Sequence, residues 1–157
     1  MSTPAELLTG LTLNGGWSVI GRTAASAVST AGFFSVGYIV ERDDGTRGFL
    51  KALDFHKAIG GTGDPIDAVN RVTAAFGFER DLLEQCRDAR MDRIVLAIDQ
   101  GNVNVSGFGT LGVVPYLVFE LAERDIRAQL DFIGRLDLAW TLRSLHNVAV
   151  GLKQLHR

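Results

Sequence analysis

The stretch Gly48-Phe49-Leu50-Lys51-Ala52-Leu53-Asp54-Phe55 constrains this chain more than any other. It reads as an apolar strand with one lysine set into it. An ammonium in such a strand is costly to bury unless a carboxylate or an anionic ligand meets it. Two partners suggest themselves: Glu79, on a helix predicted downstream, and a phosphate carried in by a ligand. A glycine-containing stretch upstream, Ser29-Thr30-Ala31-Gly32-Phe33-Phe34-Ser35-Val36, is placed to cover such a phosphate. The bland alternative is a lysine at a sheet edge, its stem buried and its head in water.

The neighbours of that strand fix its pairing. Phe34, Val36, Tyr38 and Val40 alternate at period two, which predicts a strand over 33–41. Asp43-Asp44-Gly45 then supplies a hairpin turn, glycine providing the positive φ that a tight turn needs. The lysine strand, 47–53, follows directly, so the two must be antiparallel neighbours. Before them, Thr3 and Pro4 open a short helix. Asn14-Gly15-Gly16 breaks the chain, a strand begins over 17–20, and 22–31 reads as a loop or ragged strand end.

After the lysine strand, 59–63 is a glycine-rich connector, and Asp64-Pro65 caps a helix running to about 89, with a possible interruption at Gly77. Ala68, Val72, Ala75, Phe76, Leu82, Leu83 and Cys86 fall near one apolar stripe of it, and Glu79 lies beside that stripe. Residues 93–98 read as a fourth strand, 101–112 as a Gly- and Asn-rich loop, and 113–121 as a fifth strand. A polar turn, a short helix over 126–130 and a strong helix over 137–156 complete the chain. Leu138, Leu142, Leu145, Ala149, Leu152 and Leu155 keep helical spacing in the last. The order predicts an α+β fold: a five-stranded antiparallel sheet with one long packed helix, then C-terminal helices.

The 157 residues suffice for one domain with a real core. A hydrophobic share of 46% and a net charge of −2 suit a soluble globular chain. They give no electrostatic case for nucleic acid or an anionic membrane as the main partner. A single cysteine, Cys86, rules out a disulfide within the chain and points to a reducing compartment, with the cytoplasm the expected location. The first ten residues lack the charged-then-apolar order of a signal peptide, and no apolar run has membrane-spanning length.

Other motifs carry less. Gly107-Phe108-Gly109-Thr110-Leu111-Gly112 spells G-x-G-x-x-G but opens a predicted strand, whereas a dinucleotide loop must open a helix; it reads as a hairpin loop. His56, His146 and His156 have no metal-ligand spacing, and no G-x-S-x-G or H-E-x-x-H occurs. Cys86 reads as a small buried hydrophobe.

From about Trp17 to the end, the chain resembles the N-terminal, ATP-binding lobe of eukaryotic-like Ser/Thr protein kinases. Phe49-Leu50-Lys51-Ala52-Leu53 is similar to the V-A-I-K strand, whose lysine holds the α- and β-phosphates of ATP. Phe78-Glu79-Arg80-Asp81-Leu82-Leu83 is similar to the regulatory helix whose glutamate pairs with that lysine. Tyr116-Leu117-Val118-Phe119-Glu120-Leu121-Ala122 looks like the fifth strand running into the hinge. The resemblance implies Phe119 as gatekeeper, and Glu120 and Ala122 as backbone contacts for the adenine. Gly151-Leu152-Lys153-Gln154-Leu155-His156 looks like the end of the helix that precedes the catalytic loop. Residues 1–121 would form the lobe, and 122–157 the hinge and first C-lobe helices.

The chain also departs from that pattern. Set against G-x-G-x-x-G-x-V, the stretch 29–36 matches only at Val36; Gly32 and Gly37 lie nearby, off register. The sequence stops at Arg157, before an H-R-D motif, and holds no D-F-G. The resemblance therefore implies an ATP-binding lobe that transfers phosphoryl groups to protein hydroxyls only when a C-lobe completes it and supplies the Mg²⁺ ligands. A second expectation is a pseudokinase-type protein-interaction module without catalysis, and a third an unrelated α+β interaction domain. The final helix is expected to pair, with a second copy or with a separate C-lobe.

Overall fold

The computed structural model describes residues 2–23, 34–61, 63–122, 126–133 and 137–156. The α+β expectation holds. Strands β1 (Trp17–Arg22), β2 (Ser35–Arg42), β3 (Arg47–Leu53), β4 (Ala97–Asn104) and β5 (Val113–Glu120) form one antiparallel sheet in the order β1-β2-β3-β5-β4. Helices α1 (Phe55–Ile59) and α2 (Pro65–Asp88) lie between β3 and β4 in the chain, and α3 (Ile126–Ile133) and α4 (Leu138–Leu155) follow β5.

Directly opposed residues of an antiparallel sheet share a face. The register therefore sorts the strands into two surfaces. Val36, Tyr38, Leu50, Ala52, Tyr116 and Val118 are aligned on one, together with Trp17, Val19 and Val40. All of them are buried, and the N-terminal segment covers them with Ala5, Leu8 and Leu13. Thr3 and Pro4 start a single 3-10 turn there, Pro4–Glu6, with the Glu6 carboxylate accepting from the Thr3 backbone N–H. That bond, with Arg22 beside it, holds the Glu6 carboxyl below its ordinary range.

The Tyr38 hydroxyl donates to the Ala5 carbonyl at 2.6 Å and stitches this segment to the sheet. Burial pushes the phenol pKa up. Tyr38→Phe strands a buried carbonyl, so urea denaturation should show a loss of about 1–2 kcal/mol.

The other face carries Lys51, opposed by Gly37 on β2 and Leu117 on β5, with Phe49 opposed by Ile39 and Phe119. Helices α1 and α2 cover part of it through Leu53, Ala58 and Val72, with Phe34, Phe55, Ala68 and Phe76 packed around them. Lys51 thus points toward α2 because its strand neighbours Leu50 and Ala52 are committed to the N-terminal side.

Four sequence expectations change. Helix α2 runs unbroken through Gly77 and ends at Asp88, its Asp64 cap accepting from the N–H groups of Ile66 and Asp67. Of its predicted stripe only Val72 and Cys86 are buried, and Leu82 is exposed. The fourth strand is β4, Ala97–Asn104, and not 93–98. The Ile-Val-Leu run suggested the earlier span, but β4 is an edge strand in which Gln100, Asn102 and Asn104 face outward in alternation. Its Gly101 is needed because a Cβ there would sit 2.5 Å from the Tyr116 hydroxyl oxygen. Helix α1 was not foreseen; buried Asp54 caps it by accepting from the Lys57 N–H.

Helix α3 extends past the predicted 130 to Ile133, and α4 matches its expected span within one residue. The C-terminal half of α4 rests on residues 92–94. Gly151 is buried against the Arg93 carbonyl, and Gln154 donates to Asp92 at 3.0 Å. The rest of its apolar stripe is open: Leu138, Leu142, Leu145 and Leu152 are all at least half exposed. No described helix is long and apolar enough to cross a membrane.

Candidate functional site

Lys51 and Glu79 come together. The Lys51 ammonium lies 2.7 Å from each of the two Glu79 carboxylate oxygens. Strand β3 supplies the lysine, and α2 supplies the glutamate from the turn after Phe76, which packs on the sheet. The two side chains are 22% and 36% exposed, so the pair stands at the edge of the core and not inside it. The sequence argument that this lysine needs a counter-charge is met by the first of its two candidate partners.

An ammonium has three protons. Two carboxylate oxygens take two of them, and the third remains for an anion arriving from the open side. The pair is formally neutral, so it orients an incoming anion more than it attracts one.

Beside the pair, β2, β3, α1 and α2 line an open cavity of about 570 Å³. Phe34, Leu53, Ala58, Val72 and Phe76 form apolar walls, and Lys51, Glu79 and Arg71 supply the charged rim. The volume falls in the range of small-molecule sites.

The remaining expected site residues divide. Phe119 lies on the Lys51 face, its ring 6.4 Å from that of Phe49. Glu120, opposed to Gly48, and Ala122 are exposed at the end of β5. Val36 does not join them. It is opposed to Ala52, so it faces the N-terminal segment on the far side of the sheet from Lys51. The residues that face the lysine are its neighbours Ser35 and Gly37; a period-two strand permits no other arrangement. Gly32 and most of the stretch 29–36 lie outside the described residues.

The turn Gly107–Gly112 links β4 to β5, as its sequence context predicted. Gly107 and Gly109 have φ of 91° and 57°, and the 3-10 turn Gly109–Gly112 leads into a strand. Among the described residues no group of three or more His, Cys, Asp or Glu is placed to hold a metal ion. Cys86 is buried.

Sequence reading missed two polar clusters. Asp54 is fully buried under the N-terminal turn, and its signal was only that of a carboxylate at a strand end followed by a possible helix. Asp99 accepts from the Trp17 indole N–H at 2.9 Å and from Arg42 at 3.1 Å. The guanidinium also lies 4.2 Å from the Trp17 ring, a cation–π contact between β2 and β1, while the two bonds to Asp99 tie both strands to β4. These residues are 82 and 57 positions apart in the chain, which no local pattern reveals. No model of a known protein family matches this chain, and no curated protein matches it by sequence.

Proposed function

We propose that this chain is the ATP-binding lobe of a Ser/Thr protein kinase-like protein. The observation that carries the reading is the strand lysine held by both oxygens of the helix glutamate. In phosphoryl-transfer enzymes of that class such a pair positions the lysine for the nucleotide phosphates. Lys51 would meet the phosphates, and the backbone at Glu120 and Ala122 the adenine. Mg²⁺ and the catalytic aspartate would come with a C-lobe, on this natural chain or on a partner, and phosphoryl transfer to a protein hydroxyl would need it. This reading places the protein in the cytoplasm.

Calorimetry with ATP and Mg²⁺ tests it. The expected dissociation constant is in the high micromolar to millimolar range, worth about 4–6 kcal/mol. Lys51→Met should remove the signal, and the chain by itself should show no phosphotransfer. Absence of ATP binding at millimolar concentration, with the chain folded, would sink the reading.

A second reading, a pseudokinase-type interaction module, has its own support. Val36 faces away from the lysine, and Phe49 occupies the sheet face between Lys51 and the strand end at Glu120. No thermal shift with any nucleotide would favour it. Under either reading α4 is the surface for association, with a second copy or a C-lobe. Exposed leucines on this scale are unusual in a monomer. Sedimentation should show a concentration-dependent increase in mass that Leu142→Glu with Leu145→Glu abolishes; a monomer at high micromolar concentration would count against it.

A further inference from the structure

The 570 Å³ cavity lies on the α2 side of the Lys51–Glu79 pair, and none of Phe119, Glu120 and Ala122 lines it. A nucleotide stretched between Lys51 and the end of β5 would leave it empty. Its cause is local. Along α2, Ala68, Arg71, Ala75 and Glu79 follow one another at helical spacings of three and four, so they share one line of the helix. At the two positions where a large side chain would fill the gap between helix and sheet, the sequence places alanine. What remains is a hollow walled by Phe34, Leu53, Val72 and Phe76.

The charges at the rim are unequal. Lys51 and Arg71 are cationic, and the single carboxylate, Glu79, already gives both oxygens to Lys51. Among the described residues Arg71 makes no ion pair. A ligand that fits both parts has an apolar body for the walls and one anionic head for Arg71, with the third proton of Lys51 within the same rim. We infer that this cavity is a second binding site, for a small amphiphile with a carboxylate or phosphate head. The inference holds whether or not Lys51 also meets a nucleotide, but because Lys51 lines this cavity the two ligands would compete for its third proton.

Titration calorimetry of the whole chain with hexanoate, octanoate and decanoate, each below its micelle concentration, tests the body. Each added methylene should tighten binding about fourfold, the factor for transferring one such group from water. Decyl phosphate beside decanoate tells which head the rim prefers, and decanol and decyltrimethylammonium should bind at least about tenfold more weakly, since charge-assisted bonds are lost. Arg71→Gln should weaken decanoate by about tenfold. Ala75→Leu should fill the hollow and abolish binding; because Ala75 is exposed, the melting temperature should stay unchanged. Equal affinity for anionic, neutral and cationic heads would overturn the inference. So would affinity independent of chain length, decanoate binding that survives Ala75→Leu, or no binding of either anion by the folded wild-type chain.

Discussion

Replacing Asp54 with alanine is expected to cost about 2–4 kcal/mol of stability. The residue is 1% exposed and sits where β3 gives way to α1. One carboxylate oxygen accepts from the Thr3 hydroxyl at 2.8 Å, and the other from the Lys57 N–H at 3.2 Å. The Lys57 ammonium lies 3.9 Å from it. A single side chain therefore ties the N-terminal turn, the end of the central strand and the first helix together. Alanine removes a helix cap, worth about 0.5–2 kcal/mol. It also leaves the part-buried Thr3 hydroxyl without its acceptor, worth up to about 1–3 kcal/mol. Asn can still cap and accept, so Asp54→Asn should lose roughly half as much. Urea denaturation reads both, as a lower midpoint at unchanged slope. A loss below about 1 kcal/mol for alanine would show that water already satisfies these groups.

The parts of the fold that sequence disclosed are those with a local signal. The β2–β3 hairpin follows from period-two alternation around a glycine turn, and α2 follows from an Asp-Pro start. Lys51 and Glu79 were found because a charge in an apolar strand demands a partner, and the helix downstream offered a carboxylate beside its apolar stripe. What stayed hidden depends on pairing between distant segments. Strand β4 has little apolar character of its own, since it is an edge strand and half its residues face water. The face occupied by Val36 could not be read from a motif alignment, because a shift of one residue moves every side chain through the sheet. Asp54 and Asp99 each also accept from side chains 51 and 57 or more positions away, so only the folded chain brings out their role. The open stripe of α4 has the same helical spacing whether it is covered or not.

If Lys51 meets a nucleotide as proposed, Phe49→Ala is expected to tighten ATP binding about tenfold, which corresponds to about 1.4 kcal/mol. On the Lys51 face of β3, Phe49 is the next residue toward the end of β5 that would hold the base. Its ring lies across Gly37, where a Cβ would come within 2.9 Å of the ring carbon Cε2, and 6.4 Å from the ring of Phe119. The two aromatic rings fill the surface over which a nucleotide must pass to reach both Lys51 and Glu120. The V-A-I-K pattern has its small alanine at this position, two residues before the lysine. Seating a base here means moving a packed ring, and displacing well-packed side chains costs typically 1–3 kcal/mol. Removing the ring in advance removes that cost. Tripolyphosphate, which has no base, should bind wild type and variant alike, and adding Lys51→Met should abolish the gain. A thermal melt must first show that the half-buried ring is dispensable for folding. If Phe49→Ala instead weakens ATP binding while leaving tripolyphosphate unchanged, the ring is a stacking platform for the base. The ring would then be no obstacle to the base, although the proposed nucleotide site would be kept.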